Sequence, residues 1–350
     1  MPFIMRLHSR TLLSTLGIVP FLLGLAGSLV AREVKLDPHL PHYEPQPFTI
    51  PKDAGYLRLD GSIFIVGAEE MVTGLANLNE LFIKSHPGTK FTTLQPGSSV
   101  GTPAILFNVA AFAVIDREVL PEEIVPFEYL YKRKPLGIRV GRGSFSKRGY
   151  TPPMGIFVHK TNPLERLTTE QVARIYTVGG GTGDITTWGQ VGLKGEWERR
   201  AIRVLGVGQR TGEGVYMRTE RFGDYPYTAN YEGMKSPELG AHLAQDTSSI
   251  VLMDLSYECP PEGKLVALAE PGSSYYSAAT YEDVLEGKYP YTRYTYFYIN
   301  PDPTKPLDPF VKEYLRMVLS AEGQAALTNE ENGFLPLSAQ DVAEQLAKLK

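Results

Sequence analysis

Residues 202–222 read IRVLGVGQRTGEGVYMRTERF and are the most informative part of the chain. Its β-branched beginning predicts a strand, its glycine- and threonine-rich middle predicts a turn over residues 208–214, and its end predicts a helix. A turn at the start of a helix offers unpaired backbone N–H groups and the positive end of the helix dipole, which suit an anion. Arg210 and Thr211 add side-chain donors there, whereas Glu213 puts a carboxylate where the anion would lie.

The N-terminal residues are predicted to direct export. Basic residues precede an apolar run over residues 11–30, and small residues occur near its end, at Ser28 and Ala31. This order is typical of a secretory signal peptide, so we expect residues 1–31 to be removed and the mature protein to be periplasmic or secreted. The alternative is an uncleaved membrane anchor, which the glycines and the proline within the run disfavour.

The composition is that of a globular protein with many tight turns. The chain has 350 residues, with 34 glycines and 27 prolines, which is enough for one large or two medium domains after export. Its net charge of −4 gives no indication of nucleic-acid binding. Cys259 is the single cysteine, so no intrachain disulfide can form. His39 and His42 lack a third ligand nearby, so we expect no metal. We also expect a monomer that needs no cofactor.

Strand and helix patterns alternate along the rest of the chain. After a proline-rich extended arm over residues 32–55, strands are predicted at 59–66, 91–94, 111–115, 155–159 and 289–299, and helices at 67–84, 102–107, 168–177 and 308–320. This alternation favours open α/β layers with right-handed crossovers. Thr168 and Gln171 fit a capping box at the start of one helix. The apolar segment 249–255 is expected to be exposed.

Several short motifs follow one another in an order that a known protein family shares. They are Gly67 with Met71 after the first strand, GSSVG at 97–101, the Asp-Arg pair within 111–120, HKTNP at 159–163, TWG at 187–189, GKYPYTR at 287–293, LSAEGQ at 319–324 and GFLPL at 333–337. From about Gly61 to Leu337, the chain resembles the substrate-binding proteins of ABC phosphate importers. These form the phosphate-binding protein-like group of type II periplasmic binding proteins.

This resemblance implies a fold and a function. Two α/β lobes joined by crossing interlobe strands would grip a ligand by hinge closure. Lobe 1 would comprise residues 56–140 and a return over residues 263–350, and lobe 2 would comprise residues 141–262. The protein would be an exported solute-binding protein without catalytic activity. It would capture a small oxyanion, phosphate, and work with an ABC transporter permease.

The resemblance also implies where the ligand binds. In this family, helix N-termini, hydroxyl groups, an arginine and one carboxylate surround the oxyanion. Asp116 matches the carboxylate, which can accept a proton from protonated phosphate and so helps to distinguish it from sulfate. Thr211 and Gly212 match the Ser-Gly of a Ser-Gly-Thr turn. The implied ligand-binding residues are Glu70, Met71, Ser98, Ser99, Asp116, Arg117, Arg210, Thr211, Gly212 and Glu213.

Three positions depart from the family pattern. Glu70 stands where the first helix usually opens with hydroxyl residues, Glu213 replaces the threonine of the turn, and Arg210 adjoins the turn instead of preceding it by a few residues. One carboxylate at about 4 Å from a phosphate costs roughly 4 kcal/mol at an effective dielectric constant near 20. Either these glutamates turn away from the ligand, or the ligand is a cation or a solute that bears hydroxyl or amine groups.

Other classes of function stay open on the sequence alone. The glycines of residues 206–212 follow a strand and precede a helix, as in a dinucleotide-dependent enzyme. Their spacing has one residue too many, and no second strand ending in an acid follows at the proper distance. A hydrolase built on Glu70 and Glu213 would lack any further acid–base signature. A structural or adhesive module is compatible with the proline-rich arm.

Overall fold

Two five-stranded sheets form the framework in this computed structural model, which describes residues 35–144, 150–180, 182–328 and 333–350. The predicted signal peptide lies outside these residues, and none of the described helices is long and apolar enough to cross a membrane. The strands are β1 (Ile63–Gly67), β2 (Phe91–Leu94), β3 (Phe112–Ile115), β4 (Leu136–Arg142), β5 (Met154–His159), β6 (Arg166–Thr168), β7 (Arg203–Val207), β8 (Glu232–Met234), β9 (Ser249–Asp254), β10 (Gly263–Leu265), β11 (Ala267–Ala269) and β12 (Tyr294–Ile299). The helices are α1 (Val72–Ser85), α2 (Gly101–Leu106), α3 (Pro121–Tyr131), α4 (Thr169–Tyr176), α5 (Gly212–Tyr216), α6 (Ser236–Gln245), α7 (Tyr281–Leu285), α8 (Pro309–Val318), α9 (Ala321–Leu327) and α10 (Ala339–Ala347).

The first sheet belongs to lobe 1, which contains both ends of the described chain. Its strand order is β2-β1-β3-β12-β4, with β1 parallel to β2 and β3, and with β12 antiparallel to β3 and β4. Aromatic side chains join the helices to this sheet, since the ring centroid of Tyr314 in α8 lies 5.1 Å from those of Phe82 in α1 and Phe112 in β3. These buried rings give the loops at the strand ends a closely packed support.

The second sheet belongs to lobe 2. Its strand order is β10-β5-β9-β7-β8, with β7 parallel to β8 and β9, and with β5 antiparallel to β9. Trp188 is fully buried in the core of this lobe. Every residue of β9 is also buried, so the expectation that segment 249–255 is exposed is wrong. A continuous apolar run is what a central strand covered on both faces requires.

The chain leaves lobe 1 after β4 and returns with β12. This return comes later than the predicted one at residue 263, because β10 pairs with β5 of lobe 2. Tyr289 and Tyr291 still lie in the core of lobe 2, and the strand predicted over residues 289–299 begins only at Tyr294. Arg293 therefore lies where the chain re-enters lobe 1.

The proline-rich arm packs on lobe 1 in the part that the structure describes. The N–H of Ala321 donates to the carbonyl oxygen of Pro41 at 2.8 Å, and the Tyr43 hydroxyl donates to Glu313 Oε1 at 2.8 Å. Leu40 is buried in the core of lobe 1. The arm therefore contributes to the packing of this lobe.

The first strand begins at Ile63, whereas the sequence pattern predicts a start at residue 59. A tight turn precedes the strand, in which the N–H of Arg58 donates to the carbonyl oxygen of Ser62 at 2.8 Å. Gly61 has a φ of +77° in this turn, a conformation that favours glycine. Leu59 is consequently exposed instead of starting the strand.

The capping box predicted at Thr168 is confirmed, and it allows a stability prediction. Thr168 Oγ1 accepts from the Gln171 N–H at 3.2 Å, and Gln171 Oε1 accepts from the Thr168 N–H at 2.9 Å. We expect Thr168→Ala to lower the free energy of unfolding by about 1 kcal/mol, because α4 loses its cap. Urea denaturation measures this, with Thr182→Ala at an exposed loop position as the control. A loss no larger than that of the control would contradict the role of the cap.

Candidate functional site

The candidate site lies where the parallel strands of both sheets end. In lobe 1, strands β1, β2 and β3 run into the loops that carry Glu70, Ser98 and Asp116. In lobe 2, strand β7 runs into the turn that carries Thr211, and Asp254 is the last residue of strand β9. The carboxyl ends of parallel strands border the crevice in which open α/β sheets bind ligands. Each lobe therefore supplies one wall of the site.

The turn over residues 208–214 is held together by the side chain of Thr211. This hydroxyl donates to the carbonyl oxygen of Gly208 at 2.9 Å and accepts from the N–H of Gly214 at 3.2 Å. A Cβ atom at Gly214 would lie 2.3 Å from the Gly208 carbonyl oxygen, so only glycine fits there. The predicted order of strand, turn and helix is confirmed by β7 and α5. The N–H of Gly212 has no partner inside α5, because it belongs to the first turn.

A buried arginine lies beside this turn. Arg293 is only 1% exposed, with Nη2 at 3.1 Å from Glu118 Oε2 and Nη1 at 3.5 Å from Glu213 Oε1. Its Nε has no hydrogen-bond partner within the described chain. Because Glu118 belongs to lobe 1 and Glu213 to lobe 2, this guanidinium joins the two walls of the site.

The two carboxylates that contact Arg293 differ in their electrostatics. Burial raises the pKa of Glu118, and the positive charge of Arg293 opposes this only in part. Burial also acts to raise the pKa of Glu213, but the charge of Arg293 and nearby hydrogen bonds outweigh it, so this pKa lies below its usual range. Glu213 is therefore ionised at neutral pH and already neutralises part of the Arg293 charge.

Lobe 1 contributes a hydroxyl group and two carboxylates. Ser98 Oγ donates a hydrogen bond to Asp116 Oδ1, which fixes the orientation of that carboxylate. Glu70 is half-buried, and burial together with the charges of Asp116 and Glu69 raises its pKa. Glu70 is therefore close enough to Asp116 for the two carboxylates to repel each other.

The other lobe 1 residues suggested by the sequence lie around this wall. Ser99 is exposed, and the side chain of Met71 lies in the core of lobe 1. Arg117 donates to both carboxylate oxygens of Glu123 at 2.8 Å. A Cβ atom added to Gly212 would lie 3.2 Å from the Cδ atom of Arg117. The aliphatic part of Arg117 thus lies beside the turn of lobe 2, while its guanidinium forms an ion pair with Glu123 in lobe 1.

Asp254 adds a further carboxylate to lobe 2. Burial raises the pKa of Asp254 despite hydrogen bonds from Ser256, and the charge of Glu213 raises it further. In the described parts of the chain, no three His, Cys, Asp or Glu side chains are grouped so as to hold a metal ion. Arginine, hydroxyl and carboxylate groups together suit an anion that itself carries hydrogen-bond donors.

Sequence reasoning missed three residues of this arrangement. The residues predicted from the sequence do not include Arg293, Glu118 or Asp254. They do include Arg210, whose side chain is exposed. The signal for Arg293 was its position at the end of the motif GKYPYTR, and the signal for Asp254 was its position at the end of an apolar run. For Glu118, the signal in the sequence was its closeness to Asp116 and nothing more.

Comparisons with known proteins cover most of the chain. A family model described as a PBP superfamily domain matches residues 54–322. The phosphate-binding protein PstS of Pseudomonas aeruginosa is 28% identical over 344 residues, which are 97% of this chain and 98% of that protein. The solved structure of PstS from Borrelia burgdorferi has a TM-score of 0.49 and 19% identity, and the match covers 78% of this chain and 97% of that one. An ABC-type phosphate transport receptor from Vibrio cholerae has a TM-score of 0.48 and 18% identity, with coverages of 79% and 100%.

Proposed function

The chain belongs to the PBP superfamily, and from this premise we propose that it is an exported binding protein that captures phosphate between its two lobes. The observation that carries the proposal is the position of Arg293, whose buried guanidinium lies beside the turn over residues 208–214 and contacts both lobes. The similarity over 97% of the chain to a protein named as phosphate-binding supports the same ligand.

Each group of the site has a role in this proposal. Arg293 supplies positive charge and N–H donors, and the N–H of Gly212 donates a further hydrogen bond. Thr211 keeps the turn in the shape that presents this N–H. Asp116, oriented by Ser98, only accepts hydrogen bonds while it is ionised, so it favours phosphate that carries a proton over fully ionised sulfate.

The same geometry suits transport by lobe closure. A ligand that binds Arg293 would contact the chain where it re-enters lobe 1, and it would also contact the turn of lobe 2. Its binding would therefore favour the closed arrangement of the lobes. We propose that the protein does this as a monomer in the periplasm, without catalysis, and that an ABC transporter permease accepts the ligand from it.

A thermal-shift screen of the mature protein tests the proposal. Phosphate at about 100 times its Kd is expected to stabilise the protein by about 2.7 kcal/mol and to raise its Tm. Asp116→Ala removes the proton acceptor and Thr211→Ala removes the hydroxyl that holds the turn, so both are expected to lose most of this shift. Thr182→Ala, at an exposed loop position, is the matched control that keeps it.

The screen also includes sulfate, divalent cations, sugars and amino acids. If phosphate has no effect while one of the cations, sugars or amino acids gives a clear shift, the cleft binds another solute and the proposal is wrong. The carboxylates Glu70, Glu213 and Asp254 make this outcome informative, because they would then be direct partners of a cation or of a donor-rich solute.

A further inference from the structure

Each wall of the site presents an ionisable carboxylate near the proposed ligand position. Asp116 lies in lobe 1 beside Ser98, and Glu213 lies in lobe 2 between Thr211 and the guanidinium of Arg293. An ionised carboxylate can only accept hydrogen bonds. A ligand that lies between the two walls must therefore offer a donor to each of them or be repelled.

The protonation state of phosphate determines how many donors it offers. The singly protonated form carries two negative charges and one O–H group, whereas the dihydrogen form carries one negative charge and two O–H groups. Two carboxylates can both accept from the dihydrogen form. With the singly protonated form, one carboxylate would face an oxygen that has no hydrogen to donate.

The balance of charge within the site favours the same form. Arg293 already contacts two carboxylates, Glu213 of the turn and Glu118 of lobe 1. The charge of Arg117 is paired with Glu123. The positive charge that these two arginines leave for a ligand is therefore small, which disfavours a second negative charge on the phosphate beside them.

From these contacts we propose that the site selects the dihydrogen form of phosphate, with Asp116 and Glu213 each accepting one of its two O–H groups. This inference rests on the proposed function, since it specifies which form of phosphate the same site binds. Glu213 is then a specificity-determining residue. With Asp116 as the single acceptor, phosphate would need one proton, and the carboxylate of Glu213 requires a second one.

Among the charged groups, Arg293 before β12 and Asp254 at the end of β9 interact with Glu213. Arg210 lies on the same turn and Tyr216 on α5, while Arg117, Glu118, Glu70 and Asp116 belong to the wall of lobe 1. Burial raises the pKa of Glu70, Glu118 and Asp254. These three groups are the same in the wild type and in the Glu213 variants, so comparing these proteins isolates the contribution of Glu213. Burial raises the pKa of Tyr216, so this phenol stays protonated.

Calorimetric titration of the mature protein with inorganic phosphate at about pH 8 and about pH 9 tests the inference. The share of dihydrogen phosphate falls about tenfold per pH unit in this range, so the Kd of the wild type is expected to rise about tenfold. Glu213→Thr removes the second acceptor and lets the singly protonated form bind. Its Kd is expected to change by less than about threefold over the same interval.

Two controls accompany this measurement. Glu80→Gln, on the exposed face of α1, changes the net charge by the same amount and is expected to keep the tenfold dependence. Glu213→Gln keeps the size of the side chain, restores a donor and is expected to show the same weak dependence as Glu213→Thr. It therefore decides the question if the threonine variant does not fold.

The outcomes separate this inference from the proposed function. A wild-type Kd that is the same at both pH values would overturn the selection of the dihydrogen form and leave phosphate binding intact. The same tenfold dependence in both Glu213 variants would show that Glu213 is not the selecting residue. No binding of phosphate by the wild type at either pH or at lower pH would overturn the proposed function, and this inference with it.

Discussion

Replacing Arg293 with methionine is expected to lower the free energy of unfolding by about 3–5 kcal/mol, because the change leaves the buried carboxylate of Glu118 without its positively charged partner. Glu118 Oε2 lies 3.1 Å from Arg293 Nη2, and both side chains are almost fully buried. The variant is also expected to bind phosphate at least tenfold more weakly, since it loses a charged donor of the site. Chemical denaturation and calorimetry measure the two effects.

A double-mutant cycle separates the ion pair from simple loss of packing. Combining Arg293→Met with Glu118→Gln removes the unpaired charge, so most of the lost stability is expected to return. Phosphate binding is not expected to return, because the donor is still absent. Arg199→Met, at an exposed position, is the control for the substitution itself. A single Arg293 variant as stable as this control would show that the pair has no structural role.

Gly214→Ala is expected to destabilise the protein by about 3 kcal/mol and to abolish measurable phosphate binding. The added Cβ would lie 2.3 Å from the carbonyl oxygen of Gly208 and 2.9 Å from the Cα atom of Gln209, and backbone atoms cannot move aside as a flexible side chain can. The turn must then open, which removes the hydrogen bond between Thr211 Oγ1 and the Gly214 N–H. Urea denaturation and calorimetry check the two expectations.

Two other glycines serve as matched controls for this change. A Cβ on Gly212 would meet the flexible side chain of Arg117 at 3.2 Å, so Gly212→Ala is expected to cost much less. A Cβ on Gly240 in α6 would meet no atom within 4 Å, and Gly240→Ala is expected to stabilise the protein by about 0.5–1 kcal/mol. If Gly214→Ala behaves like either control, the turn is not the rigid element described here.

The fold could be predicted from the sequence where the pattern is local. The strand, turn and helix of residues 202–222 follow from a β-branched run, glycines and one capping threonine, all within a few residues of one another. The α/β class follows from the alternation of such patterns, and the family match confirms it. Burial depends on contacts with distant parts of the chain. The apolar run of β9 therefore does not indicate by itself whether the segment is a central strand or lies at the surface.

The site could be predicted only in part, because its centre depends on contacts between distant parts of the chain. Asp116 follows β3 directly, and Ser98 and Thr211 lie in the loops after β2 and β7, where parallel sheets place their binding loops. Arg293 reaches the same place only because the chain returns from lobe 2 at that residue. No spacing rule connects Arg293 with Glu213, so the sequence left open whether this glutamate faces the site and what balances its charge.

A crystal structure of the mature protein grown with phosphate would show directly whether the ligand lies between the two lobes. We expect one phosphate between the lobes, with its oxygens within about 3 Å of the Gly212 N–H, of an Arg293 nitrogen, and of the Asp116 and Glu213 carboxylates. A cleft that excludes phosphate at saturating concentration, or that holds a different solute on these residues, would contradict this expectation.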